Sequence, residues 1–141
     1  MRKKQLLKLG HGKKGRAIKG AVLSLMIIGM CAGGVSAAGN IQDTEYSEYS
    51  TKGVYTDQRE KLDYTSAYIK HGGPVAINVE VHSEGKNYSA NGSSYVVKVG
   101  QERYLPNYVK EKSNSRYCRL FLRQQASSAY TLWGVWSPDS V

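Results

Sequence analysis

Val75-Ala76-Ile77-Asn78-Val79-Glu80-Val81-His82 alternates apolar and polar side chains without a break. Successive residues of a strand point to opposite faces, so Val75, Ile77, Val79 and Val81 share one face and Ala76, Asn78, Glu80 and His82 the other. The first face is apolar and β-branched, and the second is largely polar. That is the pattern of a strand with one side in a core and one toward water. A helical period would scatter the four branched residues around the axis.

The same period recurs on both sides. Upstream, Tyr64 to His71 is rich in Tyr, Thr and Ile and halts at Gly72-Gly73-Pro74, a strong turn signal. Downstream, Ser83 to Ser94 holds Gly85 and Asn91-Gly92 and reads as a loop or hairpin tip. Tyr95 to Val99 resumes the strand, and Gly100 marks a bulge or tight turn before Glu102 to Leu105. Pro106-Asn107 interrupts, and Tyr108 to Asn114 forms a polar crossover with room for one helical turn. Ser115 to Gln124 alternates again, with Cys118, Leu120 and Leu122 opposed to Tyr117, Arg119, Phe121 and Arg123. A last strand spans Tyr130 to Trp136 and ends at Ser137-Pro138. About six short strands separated by turns predict an all-β domain over 61–141, a small antiparallel β-sandwich or barrel. Residues 38–60, with six acids against three bases over 38–63, read as a flexible acidic entry segment ending near a first edge strand at Tyr55.

The formal charge of +9 is unevenly spread. Eight basic residues, Arg2 to Lys19, precede the first apolar run, with no acid among them. From Ala38 onward, twelve Lys/Arg face eleven Asp/Glu, so the remainder is near neutral and a nucleic-acid partner loses its main support. The run Ala21 to Cys31 suits the apolar centre of a secretory leader, too short to span a bilayer. Gly33-Gly34 then breaks the helix, and Val35-Ser36-Ala37 places small side chains where a signal peptidase reads them. The expectation is a signal-peptide helix within residues 1–37, cleavage after Ala37 or Ala38, and a secreted product. Contact with a membrane is expected through this segment alone. Met30 before Cys31 does not suit a lipid-attachment site, so lipidation is not expected.

Cys118 would be the one cysteine of the exported part, which leaves no internal disulfide. A Cys–His nucleophile pair needs both side chains within hydrogen-bond reach. The set His82, Cys118 and Arg119 or Arg123 is similar in residue type and order to sortase-like transpeptidases, yet the residues around Cys118 do not match a sortase signature. Cys118 also alternates with Leu120 and Leu122, the position of a buried small apolar residue. No two His or Cys stand at metal-ligand spacing. No catalytic residue, metal or cofactor is expected.

The eleven tyrosines all lie beyond residue 45. Tyrosine suits strands by shape and suits binding surfaces through its large contact area. Trp133 and Trp136, three apart in a strand, should point to opposite faces, one into the core and one toward solvent. Arg119 and Arg123 share a face with Tyr117 and Phe121. Tyr117, Arg119, Phe121, Arg123, Tyr130, Trp133 and Trp136 together make the candidate binding surface, suited to a cell-wall polymer, a glycan or a protein.

Gly134-Val135-Trp136-Ser137-Pro138-Asp139-Ser140-Val141, with Gly100-Gln101-Glu102-Arg103-Tyr104 and Asn107-Tyr108-Val109-Lys110-Glu111, resembles small exported Tyr-rich β proteins of Gram-positive bacteria that close on Trp-Ser-Pro-Asp-Ser. That resemblance implies an exported all-β domain of no assigned function and carries over no site residues. In size, leader and aromatic content the chain is more loosely similar to bacteriocins of the lactococcin 972 type. The expected function is a secreted, non-enzymatic binding domain. A bacteriocin-like antibacterial protein is the alternative, and a Cys118-dependent enzyme the third reading.

Overall fold

The computed structural model describes residues 39–141, so the leader read over residues 1–37 lies outside the described residues. Five strands of seven or eight residues make the frame: β1 (Thr44–Ser50), β4 (Ala67–Gly73), β5 (Ile77–Ser83), β9 (Tyr117–Gln124) and β10 (Tyr130–Ser137). Shorter pieces complete it: β2 (Val54–Tyr55), β3 (Arg59–Glu60), β6 (Lys86–Asn87), β7 (Tyr95–Val97) and β8 (Glu102–Leu105), with one turn of helix, α1 (Val109–Lys112).

Two antiparallel sheets result. The first runs β1-β10-β4-β8. In the second, β9 and β5 pair centrally, β2 and β3 share the free edge of β9, and β6 and β7 share that of β5. Both edges of this sheet are therefore broken into short pieces, which leaves no long unpaired strand for another chain to extend. Tyr46, Ile69, Leu132 and Trp136 from the first sheet meet Ile77, Val79, Val81, Leu120 and Leu122 from the second in one core.

The acidic entry segment is corrected by this structure. Residues 44–50 form edge strand β1, in register with β10 from Thr44↔Trp136 to Ser50↔Tyr130. Composition hid the strand because only Tyr46 and Ser50 turn inward, and those two are polar at their tips. The Tyr46 hydroxyl lies 2.8 Å from Nδ1 of His71, and Nε2 of His71 lies 2.7 Å from the Val75 carbonyl. A carbonyl only accepts, so Nε2 carries the proton and Nδ1 accepts from Tyr46. Ser50 likewise donates to Oε1 of Gln124 in the opposite sheet (2.5 Å). The strand expected to begin at Tyr64 begins at Ala67 instead. Residues 61–66 are occupied by a polar clasp.

At the centre of that clasp, Lys61 and Asp139 form an ion pair at 2.8 Å with both side chains 0% exposed. The Lys61 ammonium also donates to the carbonyls of Thr65 (2.6 Å) and Pro138 (2.8 Å). Oδ2 of Asp139 accepts the backbone N–H groups of Asn40 (2.6 Å) and Leu62 (2.8 Å). Burial alone would raise the Asp139 carboxyl, but the Lys61 hydrogen bond and these two N–H groups hold it below the ordinary carboxylate value. Arg59 extends the clasp by donating to the Trp136 carbonyl (2.9 Å) and to Oδ1 of Asn40 (2.9 Å).

Removing one member of a buried pair strands the other charge, so Lys61→Met should cost about 3–5 kcal/mol in chemical denaturation. A second prediction concerns acid. Burial lowers the pKa of His71 from 6.5, so near that pH the unfolded chain binds more protons than the folded one. Stability from this residue is complete above about pH 6.5 and is lost as pH falls below it. Unfolding free energy should therefore drop as pH falls below about 6.5, and His71→Gln should flatten that slope.

Candidate binding face

Strand β9 turns Cys118, Leu120 and Leu122 inward, each fully buried, and leaves Tyr117, Arg119, Phe121 and Arg123 on the outer face of the second sheet. Beside them β5 presents Asn78, Glu80 and His82, in register with Arg123, Phe121 and Arg119 respectively. On the far side, β2 sets Tyr55 opposite Phe121. Three neighbouring strands thus bring a tyrosine, a phenylalanine, a histidine and two arginines together.

The side chains lock to one another. His82 places Nε2 2.7 Å from Oε2 of Glu80 and Nδ1 3.2 Å from the Tyr55 hydroxyl. Because β9 lies between β5 and β2, this bridge passes over β9. The Tyr55 ring sits 4.9 Å from Phe121, and His82 packs 5.5 Å from Phe121. His82 is consequently only 8% exposed despite standing on the outer face. Above this roof the Arg119 guanidinium lies 3.7 Å from the Tyr55 ring centre, and Arg123 lies 5.4 Å from that of Phe121. Among the described residues neither arginine is paired with a carboxylate, whereas nearby Arg116 is paired with Glu60 at 3.2 Å. Carboxylate, imidazole and hydroxyl stand in the order of a general-base relay. Here the chain of contacts fixes the ring on which Arg119 rests.

The seven residues expected to form one surface divide. Tyr117, Arg119, Phe121 and Arg123 do share a face. Trp133 is 48% exposed but belongs to the outer face of the first sheet, where its ring lies over Gly72. Gly72 is the extra residue of a bulge, since Trp133 pairs with Gly73 and Gly134 with His71. A side chain at position 72 would collide with the indole. Tyr130 is partly buried against the core. Trp136 is corrected outright: it is 1% exposed, because β10 turns Leu132 and Trp136 inward together. The tryptophans do point to opposite faces.

Sequence reasoning missed Tyr55, Glu80 and His82. The polar face of β5 was visible in the alternation, but its pairing with Tyr55 depends on a register between β2 and β9 that spans more than sixty residues. Cys118 lies in the core, and burial pushes its thiol up to about 12. His82 stands on the opposite face of the same sheet, and both nitrogens of His71 are engaged by Tyr46 and Val75. A cleft of about 180 Å³ lies between Asp43, Tyr68, Tyr104 and Ser140, smaller than the roughly 300 Å³ at which small-molecule sites begin.

These features define an all-β domain of two antiparallel sheets with a cationic, aromatic outer face. The chain belongs to the family described as protein of unknown function DUF2712, whose profile matches residues 34–140. No curated protein and no solved structure matches it.

The burial of Cys118 sets a chemical expectation. The folded protein should react with a thiol reagent at neutral pH only as fast as it unfolds, and denaturant should release full reactivity. Labelling followed by mass spectrometry measures both rates.

Proposed function

We propose that this protein acts outside the cell as a non-catalytic binding domain, and that the outer face of its second sheet takes an anionic cell-wall polymer. The observation that carries the reading is the pair of guanidiniums, Arg119 and Arg123, held on aromatic rings and, among the described residues, with no carboxylate partner. Arginine is weakly hydrated and forks toward phosphate or carboxylate oxygens, so a guanidinium already seated on a ring loses little freedom on binding. Four steps along the strand set the two backbone positions about 13 Å apart, which suits a chain of repeated charges better than one small anion. Export is supported by the basic start, the short apolar run and the small residues Val35, Ser36 and Ala37. The near-neutral balance beyond Ala38 argues against nucleic acid. No cofactor is invoked.

Binding to purified Gram-positive cell walls, with and without their anionic polymers extracted, tests this reading. Affinity should fall as salt rises, since exposed charges are screened. Replacing Arg119 and Arg123 together with alanine should weaken binding at least about tenfold, as two charge-assisted contacts of roughly 1 kcal/mol each are lost. Salt-independent binding that survives the double replacement but is lost in Trp133→Ala would refute it and point to a neutral glycan on the other sheet. An antibacterial role is the second reading, because guanidiniums beside aromatic rings also suit anionic lipid surfaces. Leakage from anionic vesicles, absent from neutral ones, would favour it.

A further inference from the structure

Lys61 and Asp139 stand 78 positions apart, one beside the end of β3 and the other beyond the end of β10, with both side chains out of water. The three ammonium hydrogens have three acceptors: the Thr65 carbonyl, the Pro138 carbonyl and Oδ1 of Asp139. If the third proton crosses to Oδ1, the other two stay on the carbonyls and the freed lone pair faces the Asp139 carboxyl group. Oδ2 meanwhile already accepts two backbone N–H groups, from Asn40 at 2.6 Å and Leu62 at 2.8 Å. Paired N–H groups on one carbonyl oxygen are the arrangement that stabilises negative charge during acyl transfer.

We propose that this pair is a self-modification site at which Nζ of Lys61 and Cγ of Asp139 join as an amide, cross-linking the start of the domain to its end. The proton moves along the 2.8 Å contact from Nζ to Oδ1, with no other group needed to carry it. The amine attacks Cγ, and the charge gathers on Oδ2 between the Asn40 and Leu62 N–H groups. The bond from Cγ to Oδ1 breaks, and Oδ1 departs as water with two hydrogens that were on the ammonium. One ammonium and one carboxylate become one amide and one water, with no oxidation or reduction. Asp139 borders the cleft beside Asp43 and Ser140, which gives that water a way out. Fixed contact between the two groups supplies the high effective concentration that the uncatalysed condensation lacks. The link would do for the unfolded chain what a disulfide does, and Cys118 has no cysteine partner among the described residues.

Intact-mass measurement of the folded full chain decides the matter. The protein should be lighter than its sequence, after any leader processing, by the mass of one water. Proteolysis should yield a branched peptide containing both Lys61 and Asp139, and Lys61→Arg should restore the full mass. A folded wild-type protein of unmodified mass, with the two peptides recovered separately, would overturn the proposal. So would a deficit that persists in Lys61→Arg, since that marks dehydration of an aspartate within its own backbone. Should the variant fail to fold, the presence or absence of the branched peptide in the wild type still settles it.

Discussion

The contact between Lys61 and Asp139 is the constraint around which the two ends of the domain are arranged. A charge with no access to water is tolerable only when its hydrogen-bonding capacity is filled, and here three ammonium hydrogens meet three oxygens. The carboxylate is filled in turn by backbone N–H groups from Asn40 and Leu62. Four separate pieces of chain, around residues 40, 61, 65 and 138, are thereby held at one point. Beyond it, Ser137 donates to the Asp139 carbonyl at 2.8 Å and the Ser140 N–H donates to Thr65 at 2.8 Å. The segment Trp136-Ser137-Pro138-Asp139-Ser140 therefore has a structural purpose at nearly every position: ring in the core, hydroxyl and carboxylate in the clasp.

The same rule governs the other polar groups between the sheets. His71 is fixed by Tyr46 and Val75. The amide nitrogen of Gln124 reaches the carbonyls of Ser50, Thr51 and Ser128 at 3.1, 2.8 and 3.2 Å. Among the described residues no buried side-chain nitrogen or oxygen lacks a partner. These networks add less net stability than the apolar core does, but leaving any one half-made costs its full desolvation penalty. They fix which residue of β1 faces which residue of β9, something branched aliphatics alone specify loosely.

Much of the fold was legible in the sequence because its signals are local. Alternation placed β5 and β9 within two residues at either end, Gly100 marked a turn that the backbone makes at φ 77, and one helical turn fell in the expected crossover. The misses share a cause. β1 looked flexible because its inward residues are Tyr46 and Ser50, whose partners His71 and Gln124 are distant in the chain. Lys61 offered no sign of burial, since its partner lies at the far end of the domain. For the outer face of the second sheet, spacing alone grouped Tyr117, Arg119, Phe121 and Arg123. Adding Tyr55 and His82, and removing Trp136, required the strand register and the phase of β10.

The outer face of the second sheet adjoins this frame: Arg119 rests on Tyr55, Tyr55 meets His82, and β2 and β3 both pair with β9 just ahead of Lys61. The most direct test of the frame is native-state hydrogen exchange at the amides of Asn40 and Leu62. Both lie outside the regular strands, where ordinary loop amides exchange by local opening. If the clasp is as central as its geometry says, these two amides exchange only through global unfolding, at the rate of the slowest core amides of β5 and β9. Exchange as fast as that of the exposed loop around Asn91 and Gly92 would contradict the account.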